Sequence, residues 1–273
     1  SYQNIWSLSC ALFEKYDAVI DTEQSHILSA VIARLARSRI KAGFDTNNRG
    51  KMYTLSLPYL RDQYEPKMFL DLFSIIFNLD PEFELDPPYF TDSLPLKIPA
   101  EKTSLVGLFP GTTVLEKKWP EKRWTEVIDW LTEKGFIPVL IGGPSEKKEC
   151  ERIFARASKP NSHTDMINVC GKLSISQTAR LFDQIALLIS TDSGILHLAM
   201  LCDIPTVSLF GPSDPLKWAP KGDKHHVIDK AVPCSPCSRF GTIPVCPNRI
   251  ACMMEISTED VIRKIDSIID KTK

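Results

Sequence analysis

The chain has 273 residues, 43% of them hydrophobic and 25% charged, with a formal net charge of −1. That balance argues against a dedicated nucleic-acid binder, which is usually basic overall, and no apolar run reaches the roughly 20 residues of a membrane span. The length allows two domains of ordinary size, and residues 1–10 lack the basic start and long apolar core of a secretory signal, so the expectation is a cytoplasmic enzyme or binding protein.

Residues 1–15 read as a helix leading into a strand at 17–21. A second helix follows from about Ser25, with Leu28, Val31, Ile32 and Leu35 at i, i+3, i+4, i+7. A third carries Met68, Leu72, Ile75, Ile76 and Leu79, with Pro66 near its first turn. Only one buried strand is recognisable in this part. One strand makes no sheet, so the first part reads as an incomplete α/β domain or one that borrows partners. Residues 91–102 are punctuated by proline and charge and mark the junction. The division is a partial N-terminal domain over 1–96, a linker over 97–103, a C-terminal domain over 104–256 and a closing helix over 257–273.

From residue 104 strands and helices alternate. Strands fall at 105–109, 137–141, 166–169, 186–189 and 206–210. The helices between them bury Trp124, Val127, Ile128 and Leu131, then Cys150, Ile153, Phe154 and Ala157, then Thr178, Leu181, Phe182 and Ile185. Ser174 and Gln177 supply a capping box for the last of these. A short apolar helix over 195–201 precedes the fifth strand. Ser257 caps the final helix, whose stripe is Val261, Ile262, Ile265, Ile268 and Ile269. Five strands alternating with helices predict a parallel, doubly wound sheet.

In such a sheet the loops after the strands converge on one edge. Here they are Pro110-Gly111-Thr112-Thr113, Gly142-Gly143-Pro144-Ser145-Glu146, Thr191-Asp192-Ser193-Gly194 and Gly211-Pro212-Ser213-Asp214. Glycine lets a ligand approach the backbone closely and the hydroxyls can donate. The Asp192-Ser193-Gly194 turn opens a helix, whose free N–H groups favour an anion, most often a phosphate. Lys117 and Lys118 are placed to meet phosphate charge, and Glu146 to accept from ribose hydroxyls. Taken singly, each lysine reads better as solvated surface, and Glu146 as a first-turn dipole residue. His197 reads either as a donor to phosphate or sugar or as a core histidine. Four such loops on one edge predict a nucleotide site. No G-x-G-x-x-G follows the first strand and no G-x4-G-K-[ST] occurs, which disfavours dinucleotide oxidoreductases and P-loop kinases.

Of eight cysteines, Cys10, Cys150, Cys170 and Cys202 stand singly in apolar surroundings and read as core thiols. Cys234, Cys237, Cys246 and Cys252 crowd together. Their x8 and x5 spacings miss the paired C-x2-C pattern of a structural zinc site, so reduced or loosely paired cysteines are favoured over zinc and no catalytic metal is expected. Arg34, Arg37, Arg39, Lys41, Arg49 and Lys51 form a local basic run, read as a solvated helix end or as a surface for acceptor phosphates or an anionic membrane.

The run Asp192-Ser193-Gly194-Ile195-Leu196-His197-Leu198-Ala199, with Pro205-Thr206-Val207-Ser208-Leu209-Phe210-Gly211-Pro212-Ser213-Asp214-Pro215, resembles the signature of glycosyltransferase family 9, the bacterial lipopolysaccharide heptosyltransferases. Pro110-Gly111-Thr112-Thr113 with Lys117-x-Trp119-Pro120, then Gly142-Gly143-Pro144-x-Glu146, and the cysteine loop through Cys252-Met253 resemble further family motifs in the same order. The resemblance implies a GT-B architecture of two Rossmann-like domains, the N-terminal one incomplete here, with the donor on the C-terminal domain. It implies inverting, metal-independent transfer of heptose from ADP-heptose to the inner core of lipopolysaccharide. No cofactor is implied, the ADP-sugar being the donor substrate. The implied partners are that nucleotide-sugar and a lipid-linked oligosaccharide acceptor, in the cytoplasm or peripherally on the cytoplasmic face of the inner membrane.

By position, Thr112, Thr113 and Lys117 would meet the diphosphate or sugar, with Lys117 stabilising the leaving group. Glu146 would hold the ribose, and Asp192, Ser193, Gly194 and His197 would surround the diphosphate and heptose. The sequence departs from the family in lacking its first βα units and the aspartate proposed as catalytic base. Asp21, the nearest strand-end carboxylate, reads instead as an acceptor contact or a cap for the following turn. The competing readings are a non-catalytic nucleotide-sugar-binding protein and a nucleotide-sugar epimerase or hydrolase on the same scaffold.

Overall fold

The computed structural model describes residues 12–79, 90, 94, 105–157 and 166–269. The chain divides into two compact units, Ser1–Leu85 and Asp86–Lys273. The linker at 97–103 and most of the first expected helix lie outside the described residues.

In the first unit β1 (Ala18–Asp21), β2 (Ile40–Asp45) and β3 (Leu55–Pro58) form a parallel sheet in that order. Helix α1 (Ile27–Leu35) joins β1 to β2, and α2 (Glu65–Phe77) follows β3. The single strand read from the sequence is therefore corrected to three. β2 was hidden because it reads Ile-Lys-Ala-Gly-Phe-Asp, with a lysine and a glycine where a buried strand usually carries branched residues. Lys41 is nonetheless buried, and its ammonium donates to the Arg34 carbonyl. Gly43 lies against the Tyr53 ring, where a Cβ would stand 2.4 Å from Cζ. β3 is short, lies at the edge of the described sheet and ends in proline, which an edge position tolerates. The core of this unit is small: Ala42, Phe44, Met68 and Leu72.

The second unit carries β4 (Leu105–Phe109), α3 (Glu121–Glu133), β5 (Ile137–Leu140), α4 (Lys147–Ala157), β6 (Ile167–Asn168), α5 (Ile175–Phe182), β7 (Leu187–Thr191), α6 (Gly194–Leu201), β8 (Thr206–Leu209), α7 (Pro215–Trp218), β9 (His225–Ile228), α8 (Ala251–Met254) and α9 (Thr258–Ile269). All six strands are parallel, in the order β6-β5-β4-β7-β8-β9. The sixth, β9, escaped the sequence reading because it opens on two histidines rather than an apolar run. Both sheet faces are covered. Val106, Leu108 and Ile189 pack with α3, α4 and α9 through Trp124, Ile128, Ile153, Val261 and Ile265. Leu105 and Leu188, one position out of phase, pack with α5 and α6 through Phe182 and Leu196. The strands are buried on both faces, which is why they read as continuous apolar runs.

The capping box is present: Gln177 N donates to Ser174 Oγ at 3.1 Å and Ser174 N to Gln177 Oε1 at 3.0 Å. Ser257 and Asp260 cap α9 in the same reciprocal way, at 3.2 and 2.8 Å. Val261 and Ile265 of the α9 stripe are buried in the core of its own unit, with Ile268 and Ile269 packed against it.

Candidate functional site

The strand order reverses between β4 and β7. β5 and β6 extend the sheet to one side of β4, and β7, β8 and β9 to the other. The loops after β4 and β7 therefore leave in opposite directions and open a crevice, the place where doubly wound sheets bind ligands. Two contacts bridge it. The Thr191 hydroxyl, at the last position of β7, donates to the Gly111 carbonyl at 3.2 Å. Lys117 Nζ, at the end of a 3-10 turn over Leu115–Lys117, stands 2.5 Å from Asp192 Oδ2. Among the described residues Asp192 is the one ion-pair partner of that ammonium, which leaves it donors to spare.

α6 begins beside this pair. Its N-cap, Ser193, makes no side-chain capping bond. The Ser193 hydroxyl instead donates to the Thr191 carbonyl at 3.2 Å and lies 3.2 Å from the Ser190 hydroxyl. The first N–H groups of the helix thus keep their capacity for an external acceptor. A Cβ built on Gly194 meets nothing within 4 Å, so open space lies over the helix start. His197, one turn along, is half-buried. Burial holds its imidazole below the ordinary histidine value, with the Asp192 carboxylate opposing. It is neutral at pH 7 and has one N–H to donate.

The β5 loop closes the other side. Gly143 N donates to Glu146 Oε2 at 2.8 Å and Ser145 Oγ to Glu146 Oε1 at 2.5 Å. Gly111 is where this loop meets the β4 loop, since a Cβ there would stand 2.0 Å from Glu146 Cγ. Only glycine lets the two loops touch. Thr112 organises its own turn, its hydroxyl accepting from Val114 N at 3.1 Å, while Thr113 is exposed. Lys118 is drawn away from the crevice to Glu149 at 3.1 Å.

The fourth loop is sheathed by chain. The Gly211 carbonyl accepts from the Ser235 hydroxyl, and the Pro212 carbonyl from Cys237 N and Ser238 N at 3.0 and 2.9 Å. A Cβ on Gly211 would stand 2.6 Å from Met253 Sδ. Asp214 caps α7 by accepting from Leu216 N at 2.8 Å. The structure therefore gathers Gly111, Lys117, Glu146, Thr191, Asp192, Ser193, Gly194 and His197 and gives the fourth loop a packed neighbour instead of a free edge.

Cys234, Cys237, Cys246 and Cys252 are free thiols. Among the described residues no group of three or more His, Cys, Asp and Glu side chains is placed to hold a metal ion. Burial pushes the Cys252 thiol up to about 11, the other three cysteines adding to it, and raises Cys237 as well. Cys150 and Cys170 are buried and Cys202 partly so, as expected of core thiols; Cys10 lies outside the described residues.

In the first unit Asp21 caps the turn after β1, accepting from Glu23 N at 3.0 Å. Its other oxygen is taken by Arg49 at 2.7 Å and the Tyr53 hydroxyl at 2.6 Å. Arg49 is fully buried, so the basic run is no single surface. Sequence reasoning named Trp119 only within the Lys117-x-Trp119-Pro120 motif and assigned it no role; it is buried and donates to the Ile256 carbonyl at 2.9 Å. Its neighbour Lys117 drew a role by charge, whereas an indole two residues on carried no such signal.

The glycosyltransferase family 9 (heptosyltransferase) family model matches residues 5–243. The lipopolysaccharide heptosyltransferase 1 of Pseudomonas aeruginosa is 27% identical over 232 residues, covering 81% of this chain and 62% of that protein. Among solved structures, the family 9 glycosyltransferase of Veillonella parvula superposes with TM-score 0.72 at 19% identity, over 99% of this chain and 80% of that one. The E. coli heptosyltransferase WaaC, solved with ADP, gives 0.68 at 21% identity, over 98% and 77%. These likenesses establish the fold. The chain spans about 62% of the length of that curated relative. It belongs to glycosyltransferase family 9.

Proposed function

We propose that this family 9 chain carries the donor site of a heptosyltransferase, which moves a heptose from ADP-heptose to the inner core of lipopolysaccharide with inversion and without a metal. The observation that carries the reading is the Lys117–Asp192 pair at the strand-order reversal, 2.5 Å apart beside the open start of α6. When the glycosidic bond breaks, negative charge grows on the departing diphosphate. An ammonium with unused donors and the N–H groups of a helix start are suited to stabilise it. Asp192 holds the ammonium at the crevice before the donor arrives, and its second oxygen remains for a sugar hydroxyl. His197, neutral and half-buried, donates to the sugar or phosphate. Thr113 lies at the rim as a further donor. Glu146 holds its loop in shape and exchanges the Ser145 hydroxyl for those of the ribose. Serving these steps on the acceptor side, a lipid-linked oligosaccharide would meet the cytoplasmic face of the inner membrane.

The test is transfer from ADP-heptose to a lipopolysaccharide core acceptor, with this chain and with a version extended upstream of Ser1. Transfer by either supports the reading. Binding of ADP-heptose with no transfer by the extended protein sinks it and leaves the second reading, a protein that binds a nucleotide-sugar without catalysis. One observation favours that alternative: both oxygens of Asp21 are engaged within the first unit, so it is not poised to deprotonate an acceptor hydroxyl. An epimerase or hydrolase would instead convert the donor with no acceptor present.

A further inference from the structure

Lys117, Lys118 and Trp119 are consecutive, and each is anchored to a different element. Lys117 reaches Asp192 after β7, at 2.5 Å. Lys118 reaches Glu149 in the first turn of α4, at 3.1 Å. The Trp119 indole N–H donates to the Ile256 carbonyl at 2.9 Å, and its ring stands edge-on to Trp124, with centroids 5.1 Å apart and planes at 89°. Arg123 donates to the same Ile256 carbonyl at 2.6 Å and to that of Met254 at 2.7 Å. The segment they hold, 251–256, also fills the space at Gly211, where Met253 Sδ and Cys252 Sγ stand 2.6 and 3.0 Å from the position of a Cβ. One segment, anchored through the buried Cys252, Met253 and Ile256, therefore braces the strap after β4 on one side and the loop after β8 on the other.

We infer that Trp119 is a positioning residue for the donor site: its hydrogen bond to Ile256 fixes the strap 117–120 and so sets where the Lys117 ammonium stands. The inference rests on the reading of Lys117 as donor-binding. The physical case is one of leverage. A lysine side chain has four rotatable carbons and its direction is only as fixed as its backbone. The 3-10 turn that carries Lys117 is a single turn held by 3.1 Å bonds from Lys117 N to Val114 and from Lys118 N to Leu115. Such a turn has little stiffness of its own. The rigid ring two residues on, 1% exposed and bonded at its tip, supplies it.

The experiment is a double-mutant cycle on the full chain, with ADP as the probe, its affinity measured by calorimetry and the thermal midpoint recorded for each protein. Trp119→Phe keeps an aromatic ring at the position and removes the indole donor. It should weaken ADP binding about three- to tenfold, the scale of one neutral hydrogen bond. In a Lys117→Ala background the same change should cost less than about twofold, because the group it positions is gone. Should Trp119→Phe fail to fold, Arg123→Met removes the second donor to the same carbonyl and loosens the segment to which Trp119 is anchored, and it should show the same dependence on Lys117. An additive cost in the cycle, or ADP binding by Trp119→Phe within about twofold of the unaltered chain, overturns the inference. If Lys117→Ala itself leaves ADP binding unchanged, the donor-site reading fails first, and the role of Trp119 fails with it.

Discussion

Each unit places a carboxylate and a cation at the carboxyl end of a parallel strand, and the two pairs are built for opposite ends. In the first, Arg49 and Asp21 meet at 2.7 Å with side chains 0% and 5% exposed. The guanidinium also donates to the Glu23 carbonyl at 2.6 Å, to Tyr53 at 2.9 Å and to Ser29 at 3.2 Å. In the second, Lys117 and Asp192 meet at 2.5 Å with side chains 19% and 9% exposed, beside open space over a helix start. The first pair ties β1, α1 and the β2 loop together, and the one guanidinium donor without a partner, Nε–H, is buried away from any ligand. Among the described residues the ammonium of the second has Asp192 as its one ion-pair partner, and it is partly exposed to solvent. Ion pairing at a strand end is thus not itself a sign of function; what distinguishes the two is whether the cation stands beside open space.

Breaking each pair should separate stability from binding. Arg49→Met leaves a buried carboxylate without its countercharge, a change that costs about 3–5 kcal/mol. A urea titration should show that loss, confined to the transition of the first unit. Retention of that unit's stability would mean the network matters less than its burial suggests. Lys117→Ala should do the reverse. Removing a charged donor to phosphate costs about 1.5–3 kcal/mol of binding, roughly ten- to a hundredfold in ADP affinity, while the thermal midpoint stays near that of the unaltered chain. Asp192→Ala should also weaken ADP, because the ammonium loses its anchor. Lys224→Ala is the control, since Lys224 pairs with Asp203 on the surface at 53% and 72% exposure. Equal effects from all three would count against the mapped site.

Two glycines of the second unit sharpen the contrast at smaller cost. Gly111→Ala drives a methyl into Glu146 and should lose about 1–3 kcal/mol by overpacking, seen as a lowered denaturation midpoint. Gly194→Ala meets no atom within 4 Å, and alanine is favoured over glycine in a helix by about 0.8–1 kcal/mol. It should fold at least as well as the unaltered chain yet bind ADP less tightly, because its methyl occupies the space left for the diphosphate. If Gly194→Ala binds ADP normally, that space is not the site.

The second unit was legible in the sequence where burial is complete. β4, β7 and β8 are fully or nearly fully buried and read as apolar runs, and the loops after them carried Gly111, Lys117, Asp192 and Gly194 into view. β2 and β9 were not legible, for a shared reason. Lys41 is satisfied by a backbone carbonyl and His225 by Thr206 at 3.0 Å, so polar residues sit inside strands through partners that no periodicity reports. The same limit hid the roles of Trp119 and Met253, which were visible only as motif letters and make contacts with residues more than 100 and about 40 positions away. Family likeness pointed to the residues proposed for the donor; that Asp21 is already occupied was visible only in the fold.

The smallest effect we expect is a pH window that differs between the units. Burial holds His197 and His225, both in the second unit, below the ordinary histidine value. The unfolded chain therefore takes up these protons near pH 6.5, before the folded chain does. Below that pH the unfolded state binds more protons, so stability falls as the pH falls. The contribution is whole above about pH 6.5 and is lost as the pH drops through the folded values. In the first unit Glu23 is held down to about 2 from 4.5 by backbone and side-chain hydrogen bonds that outweigh its desolvation. Its contribution is intact above pH 4.5 and is lost only between there and about 2. Four of the five tryptophans, Trp119, Trp124, Trp130 and Trp218, lie in the second unit, so tryptophan emission follows that unit. Its urea midpoint should be level from pH 8 to 7 and decline from pH 6.5 to 5.5, and His197→Gln should flatten part of that decline. A midpoint that stays level to pH 5 would show that neither histidine is held neutral by its surroundings, and would remove the case for His197 as a neutral donor beside Asp192.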